Sequence, residues 1–379
     1  MCLPFQFSAN PRLLLRILLV PAFLCLVSAV ADSSPPGRPH DFAEWDRLIR
    51  KELDGTLAGG YAYEILQNGR VVASDQRGFA RAPREKVSPS VPMTLFKPAP
   101  MASVSKTITA VAMLRLWEEK KGGFSLDDPF WPYVKRLAPH PDPEVTKITI
   151  RQLLKHQSGF GKTADLTSHE DLSALLKRPL VRRPGRKFEY LDNNYYIARV
   201  VLEQIARESY PRYVRNHVLR PMGITQMKTC CEPHAPMCGY GEADDQSKPG
   251  YPFAWDCTRW AGGAGWYGSV DDMARFMHGL RDGNVLSGQA KQILFTDALG
   301  FDWEEPGFGK GGDWVFDDNV QEGEVHTAVC YFPDGIEAAM VINAAYAQGP
   351  LELLEDTWKQ SLVRTGKRAS GKRLHPANS

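Results

Sequence analysis

Ser103 and Lys106 stand three residues apart in the segment Ser103-Val104-Ser105-Lys106. On a helix, residues at this spacing share one face, so the lysine amine can reach the serine hydroxyl. A serine hydroxyl becomes a nucleophile when a base takes its proton, and burial among apolar residues weakens the preference of a lysine for its charged form. A helix N-terminus also favours negative charge that develops beside the serine. The pair therefore predicts acyl-transfer chemistry, although this spacing alone arises by chance about once in a chain of this size.

The segment that must position this pair has the pattern of a helix. Residues 103–121 carry apolar side chains at helical spacing and end in charged residues before Gly122-Gly123. We therefore expect a long, largely buried helix with Ser103 at its start. Further helices are predicted at 150–156, 171–176, 195–208, 213–219, 270–280 and 351–364, and strand pairs at 59–80 and 325–343, around the turns Asn68-Gly69 and Pro333-Asp334-Gly335.

The order of these elements predicts the fold class. Strand pairs lie near both ends of the chain, and residues from about 124 to 250 have the pattern of short helices broken by proline and glycine turns. We expect an α/β fold of the α+β type. One antiparallel sheet would take strands from both termini and be flanked by helices, with the helical region inserted between them.

The composition narrows the classes of function. With 379 residues, of which 43% are hydrophobic and 24% charged, the chain can bury a large core without a metal or a disulfide scaffold. The net charge is only +2, and Lys and Arg are spread along the sequence. This distribution lacks the basic patch that a nucleic-acid-binding protein needs. We expect no nucleic-acid partner, no metal and no cofactor.

The first residues have the pattern of a targeting segment. Arg12 and Arg16 precede the apolar run 17–31, which ends in Ala29-Val30-Ala31 and is followed by a polar, proline-rich stretch. This pattern predicts a signal peptide over 1–31, a linker over 32–40, and export to the periplasm or the exterior. An uncleaved membrane anchor is the alternative. The basic tail, 366–379, is expected to be solvated.

Cysteines cluster in one part of the chain. Removal of 1–31 would leave five, at positions 230, 231, 238, 257 and 330. In an oxidising compartment, the cluster between 230 and 257 predicts one or two disulfides. A zinc site with His234 as a further ligand is the alternative, although the spacing of these cysteines matches no usual zinc pattern.

Several longer segments carry a resemblance to a known family. The chain resembles the penicillin-recognising serine hydrolases related to class C β-lactamases, D-Ala-D-Ala carboxypeptidases and family VIII carboxylesterases. The likeness covers about residues 41 to 365, in the family's order, and implies one catalytic domain with a β-lactamase/transpeptidase-like fold. The segments that carry it are TLFKPAPMASVSKTITA (94–110), ITIRQLLKHQSGF (148–160), PGRKFEYLDNNYYIA (184–198), VLRPMGI (218–224) and GGAGWYGSVDDMARFMHGL (262–280).

The second motif of that family, Tyr-x-Asn, aligns with Tyr190-Leu191-Asp192. The resemblance implies that Tyr190 relays the proton of Ser103 and later protonates the leaving group. Its pKa would have to fall for this role, and neighbouring lysines are the available cause. Asp192 departs from the usual Asn, because an ionised carboxylate accepts hydrogen bonds but donates none to a substrate carbonyl. A pairing of Asp192 with Lys106, which would raise the lysine pKa, is also open.

The third motif, Lys/His-x-Gly on a strand, fits Lys310-Gly311-Gly312. Its glycine matters because the missing Cβ lets a substrate approach the strand. Lys310 lies further from the last hairpin than the family pattern requires, so an inserted loop around 313–324 is expected. His326-Thr327-Ala328 is the alternative, although it lacks the glycine. The resemblance further implies an oxyanion hole made by the backbone N–H groups of Ser103 and of a residue after Gly312, such as Asp313.

These residues predict an exported serine hydrolase that cleaves an ester or amide through an acyl-enzyme on Ser103. A small ester, a β-lactam and a peptidoglycan-derived peptide are the candidate substrates. An esterase-like activity is favoured because Asp192 lacks the amide donor. The alternative is a catalytically weak cell-wall-binding protein that keeps the fold. Tryptophans 255, 260, 266, 303 and 314 are candidates to line an acyl pocket, although core or loop packing is the simpler role for most of them.

Overall fold

The computed structural model describes residues 40–362, except 56, 58, 84–88, 121–122, 163–165, 167, 231–235, 242–248, 303–306 and 318–321. The predicted signal peptide and basic tail lie outside the described residues, as does nearly all of the predicted linker. The helices are α1 (Phe42–Leu53), α2 (Ser105–Glu119), α3 (Trp131–Val134), α4 (Ile150–Leu154), α5 (His169–Leu176), α6 (Asp192–Ala206), α7 (Tyr210–Val214), α8 (Val270–Asp282), α9 (Gly288–Thr296) and α10 (Pro350–Ser361). The strands are β1 (Gly60–Gln67), β2 (Arg70–Arg81), β3 (Val91–Pro92), β4 (Ala99–Pro100), β5 (Cys238–Gly239), β6 (Tyr251–Pro252), β7 (Tyr267–Gly268), β8 (Phe308–Asp317), β9 (Glu322–Phe332) and β10 (Ile336–Ile342).

The main sheet joins the two ends of the described chain. Its six strands lie in the order β3-β2-β1-β10-β9-β8, and neighbouring strands run antiparallel. In the centre, Tyr63 of β1 faces Met340 of β10. The expected antiparallel sheet built from both termini is therefore confirmed. Strand β8 is an edge strand of this sheet, and backbone groups on its outer edge form hydrogen bonds with other parts of the chain.

Helices cover both faces of this sheet. Because successive strand residues point to opposite faces, Tyr63 and Ile65 pack towards α1 and α10, whereas Ala62 belongs to the larger core on the other side. Trp45 of α1 is fully buried and its Nε1 donates to Thr357 Oγ1 of α10 at 2.9 Å. The larger core surrounds α2, so the helix that follows Ser103 is held on nearly all sides.

Two sequence predictions need correction. The loop expected around 313–324 is mostly strand, because β8 continues to Asp317 and β9 begins at Glu322, with residues paired across the two strands throughout. The disulfides expected between 230 and 257 do not form among Cys230, Cys238 and Cys257, the cysteines of that segment that the structure describes. Cys231 lies outside the described residues.

No helix within the described part of the chain has both the length and the apolar character that a bilayer crossing requires.

Candidate active site

Ser103 lies in a 3-10 turn, Ala102–Val104, that leads directly into α2. The helix begins at Ser105, two residues later than the sequence pattern predicted. Ala102 has a left-handed φ of 47°, an uncommon conformation for a residue with a Cβ atom. The preceding carbonyl, that of Met101, accepts a hydrogen bond from Thr327 Oγ1 on β9 at 2.9 Å. The turn is thus fixed to the sheet, and Ser103 is presented between sheet and helix.

Lys106 lies against Ser103 as the spacing predicted. Its Nζ is 3.0 Å from Ser103 Oγ and donates to the backbone oxygen of Gly263 at 2.9 Å. The whole side chain is buried, with 0% exposure. A buried amine in contact with the serine hydroxyl is positioned to exchange a proton with it.

Asp192, the first residue of α6, forms an ion pair with the Nζ of Lys106. The pairing that the sequence left open is therefore present. The carboxylate side chain is 43% exposed, whereas the lysine is enclosed. A negative charge at this position stabilises the ammonium form of Lys106. The same interaction that orients the lysine thus opposes its action as a base.

Tyr190 contacts Ser103 from the other side. Its Oη donates to Ser103 Oγ at 2.8 Å and accepts from Lys310 Nζ at 3.3 Å. Both lysines lie beside the ring, with Lys106 Nζ and Lys310 Nζ each 4.8 Å from its centroid. Withdrawal from water nevertheless outweighs the Lys310 charge and the Ser103 hydrogen bond, and the pKa of Tyr190 is raised. The fall in pKa that the sequence interpretation required does not occur, so the phenol stays protonated at neutral pH.

His156 is a site residue that the sequence analysis missed. Its ring stacks on Tyr190 with centroids 4.5 Å apart, and its Nδ1 accepts from the backbone N–H of Leu191 at 3.1 Å. Burial, followed by the positive charges of Lys106 and Lys310, lowers the pKa of His156 well below its usual value. The imidazole is therefore neutral and holds the Tyr190 ring in place. His156 stands within the segment 148–160, but its spacing gives no sign of this contact.

Lys310 and His326, the two candidates for the third motif, lie in different surroundings. Lys310 lies on β8 with a side chain 2% exposed, and it contacts Tyr190 and the carboxylate of Asp302. His326 lies on β9, where its Nδ1 is 2.7 Å from Asp313 Oδ1 and its Nε2 is 2.8 Å from Glu324 Oε2. Burial opposes the charged imidazole, but these two carboxylates outweigh it and raise the pKa of His326. Of the two candidates, the structure brings Lys310 to Tyr190 and engages His326 with carboxylates.

Gly312 is the point at which β8 touches the Ser103 turn. A Cβ atom on this glycine would lie 2.5 Å from Met101 O, 2.8 Å from Thr327 Oγ1 and 2.9 Å from Ser103 N. Real Cβ atoms do not approach other atoms so closely, so only glycine permits this packing. The strand backbone can therefore lie directly beside the backbone N–H of Ser103.

Backbone groups of β8 also lie along its outer edge, the edge that is not paired with β9. Gly309 O accepts from Asp302 N at 2.7 Å, and Gly311 N donates to Asp302 Oδ2 at 3.0 Å. The backbone N–H and C=O groups of both glycines therefore point away from β9. Alternate residues of an antiparallel strand face the same edge, and the N–H of Asp313 therefore also points outward. The resemblance implied an oxyanion hole made by this N–H and that of Ser103.

Two cavities meet at Ser103. One, of about 100 Å³, is lined by Trp260 and Trp314 together with Asp192 and Asp313. The other, of about 470 Å³, extends along β8 past Tyr190 and Asp302.

The remaining tryptophans have other positions. Trp266 is fully buried, with its Nε1 3.2 Å from Tyr210 Oη, and Trp255 packs edge-on against Trp314. Trp303 lies outside the described residues. In the described part of the chain, no cluster of three or more His, Cys, Asp or Glu side chains is arranged to hold a metal ion.

Comparisons with known proteins agree with this fold. The family model described as Beta-lactamase matches residues 45–359, well over half of the chain. A relative from Bacillus subtilis (strain 168), named "Putative penicillin-binding protein PbpX", is 29% identical over 239 residues, which are 61% of this chain and 57% of the relative. The chain thus matches little more than half the length of this curated relative.

Solved structures share the fold at low sequence identity. The structure titled "EstCE1, a hydrolase with promiscuous acyltransferase activity" has a TM-score of 0.62 at 20% identity, covering 84% of this chain and 98% of its own. A D-stereospecific amidohydrolase from Streptomyces sp. has a TM-score of 0.63 at 19% identity, with coverages of 84% and 98%. At these identities the similarity establishes the β-lactamase/transpeptidase-like fold.

Proposed function

The chain belongs to the beta-lactamase family, and on that premise we propose that it is a serine hydrolase that cleaves a small ester or amide through an acyl-enzyme on Ser103. One observation carries the proposal. The Oγ of Ser103 lies 3.0 Å from Lys106 Nζ and 2.8 Å from Tyr190 Oη, so a base and a proton donor contact the same hydroxyl.

In the first step, neutral Lys106 takes the Ser103 proton while Oγ forms a bond to the substrate acyl carbon. The carbonyl oxygen becomes negatively charged and accepts from the backbone N–H groups of Ser103 and Asp313. The bond from the acyl carbon to the alcohol or amine then breaks, and the leaving group departs with the proton of Tyr190. Water adds to the acyl carbon and gives a proton to the Tyr190 phenolate; the bond to Ser103 Oγ breaks, Lys106 returns its proton to Ser103 Oγ, and the acid is released.

We assign the base role to Lys106 and the donor role to Tyr190. A phenol whose pKa is raised keeps its proton at neutral pH, so it can donate to Ser103 or to the leaving group. Lys310 Nζ, 3.3 Å from Tyr190 Oη, can stabilise the phenolate that forms when this proton is lent. His156 holds the ring in this orientation by stacking on it.

An esterase-like activity is favoured because Asp192 replaces the usual Asn of the second motif. Asp192 stands where an amide side chain would donate to an amide substrate, and its carboxylate is engaged with Lys106. Esters need less help than amides because their leaving group departs without prior protonation at nitrogen. Among the fold relatives, EstCE1 is described as a hydrolase with promiscuous acyltransferase activity, and acyl transfer is the reaction class proposed here.

The test is to trap the acyl-enzyme. Incubation with p-nitrophenyl butyrate should release p-nitrophenol, and acid quenching followed by peptide mass spectrometry should place a butyryl group on Ser103. Ser103→Ala should lose the adduct. Ser105→Ala should keep it, because Ser105 Oγ instead accepts from the backbone N–H of Trp266 at 3.1 Å. The proposed function would be contradicted if the protein released no p-nitrophenol, formed no butyryl adduct and was not labelled at Ser103 by a fluorescent penicillin.

The ion pair between Asp192 and Lys106 supports a second candidate, a catalytically weak protein that binds cell-wall peptides. If the carboxylate holds the lysine as ammonium, little base is present at neutral pH. Asp192→Asn removes that charge, so we expect the acid limb of the kcat/KM profile for p-nitrophenyl butyrate to move down by about one to three pH units. Asp127→Asn, whose carboxylate pairs with Arg151, serves as the control and should leave the profile in place. If the acid limb of Asp192→Asn stayed where it is in the wild type, the ion pair would not be what limits Lys106 as a base.

We also propose that the protein is exported. The support is the basic, apolar and small-residue pattern of residues 12–31, with Ala29-Val30-Ala31 as the cleavage site. The substrate would then be an extracytoplasmic ester, β-lactam or peptide.

A further inference from the structure

One carboxylate binds two donor groups of β8. The ammonium of Lys310 forms an ion pair with Oδ1 of Asp302, and the backbone N–H of Gly311 donates to Oδ2 of Asp302 at 3.0 Å. A cation beside an N–H donor is the arrangement that binds a carboxylate tightly. In this protein the carboxylate that occupies it belongs to the chain itself.

Asp302 is fixed in this position by its backbone as well. Its own N–H donates to Gly309 O at 2.7 Å, so main chain and side chain together dock on the outer edge of β8. Lys310 is almost fully enclosed, with a side chain 2% exposed, whereas the Asp302 side chain is 35% exposed. The partly exposed carboxylate of Asp302 therefore neutralises the buried ammonium of Lys310.

The position of Asp302 determines what a substrate would meet. Asp302 lines the cavity of about 470 Å³ that Ser103 opens into, and it also lines a neighbouring cavity of about 430 Å³ that contains Lys310 and His156. The first cavity is also lined by the carboxylate of Glu352 and by Asp313, which is paired with His326. A negatively charged group extending from Ser103 along β8 would find the cation already paired and would face like charge.

We propose that Asp302 is a built-in counter-ion that sets the substrate class of Ser103: esters or amides whose portion along β8 carries no negative charge. The inference rests on the proposed hydrolase function and refines it. Asp302 acts by occupying the donors of Lys310 and Gly311 and by repelling a substrate carboxylate. Removal of its charge exposes a buried ammonium and an N–H group to an anionic substrate.

The experiment compares matched neutral and anionic esters. The methyl ester of p-nitrophenyl hydrogen glutarate is replaced by the free acid, which places a carboxylate on the acyl side. The methyl ester of 4-(butyryloxy)benzoic acid is replaced by the free acid, which places it on the alcohol side. The readout is the anionic-to-neutral ratio of kcat/KM within each enzyme preparation, so the fraction of active enzyme cancels. The wild type should prefer the neutral ester of at least one pair by about tenfold or more.

In Asp302→Asn and Asp302→Ala, we expect that ratio to rise by about 10- to 100-fold for the same pair. The Asn variant keeps the shape of the side chain and guards against misfolding of the Ala variant. Glu352→Gln removes a carboxylate of the same cavity that does not contact Lys310, and its ratio should rise by far less. A wild type that hydrolyses anionic and neutral esters equally, or an unchanged ratio in both Asp302 variants, would overturn the inference while leaving the hydrolase function intact. Failure of the wild type to hydrolyse any of the esters would instead count against the proposed function.

Discussion

Replacing Lys106 with methionine is expected to lower kcat/KM for p-nitrophenyl butyrate by about 10²- to 10⁴-fold. The side chain is fully buried and its Nζ is 3.0 Å from Ser103 Oγ, so its loss leaves the serine without a base. Methionine has a similar length and fills the enclosed space with apolar atoms. Asp192 loses its partner, but its side chain is 43% exposed and can be hydrated. The fold should therefore survive, which circular dichroism and the Tm can verify.

Two comparisons make the Lys106 result specific. Lys155→Met removes a lysine that pairs with Asp297 at 2.8 Å and should leave kcat/KM close to that of the wild type. The double variant Ser103→Ala/Lys106→Met should be no slower than the slower single variant, because a nucleophile and its base act as one unit. A folded Lys106→Met protein with wild-type kcat/KM would contradict the assignment of the base.

Replacing Gly312 with alanine should lower kcat by about 10²- to 10³-fold. The new Cβ would lie 2.5 Å from Met101 O and 2.9 Å from Ser103 N, and backbone atoms cannot yield as a flexible side chain can. β8 must therefore move away from the Ser103 turn, and the N–H of Asp313 moves with it. The two N–H groups of the proposed oxyanion hole then separate, so we expect stabilisation of the transition state to be lost.

Gly311→Ala is the matched control within the same strand. Its Cβ would meet Leu351 side-chain atoms at 3.5 and 3.6 Å, which is ordinary van der Waals contact. We expect its kcat to fall far less than that of Gly312→Ala. Both are measured on p-nitrophenyl butyrate, well below the Tm of each variant, so that the protein is folded in the assay. Equal losses in the two variants would show that the strand, rather than the approach at Gly312, is sensitive to substitution.

The elements of the fold were largely predictable because they depend on local patterns. Apolar periodicity identified α2 and the two central strand pairs, and the position of these strands at both ends of the chain predicted the shared sheet. The loop around 313–324 was expected because Lys310 lies further from the last hairpin than the family pattern requires. Longer strands β8 and β9, paired along their whole length, account for that distance instead.

The site was predictable only in part, for a different physical reason. The contact of Ser103 with Lys106 follows from their spacing in the sequence, and Tyr190 came from the family resemblance. The contacts of Asp302 with Lys310 and of His156 with Tyr190 join residues that no local pattern relates. The direction of the Tyr190 pKa shift was also unpredictable, because it depends on how far the folded protein withdraws the hydroxyl from water.

The pairing of β1 with β10 has a consequence for the order in which the proposed site can form. The N–H of Gly60 donates to the side chain of Asn343, a contact between residues 283 positions apart, and β8 reaches the Ser103 turn only as part of the same sheet. Contacts of such long range form late, because closing a long loop costs chain entropy before any packing compensates for it. A chain that lacks β8 to β10 therefore holds Ser103 and Lys106 without the strand that carries Lys310 and Gly312. The proposed site is completed only when strands from both ends of the described chain have paired in one sheet.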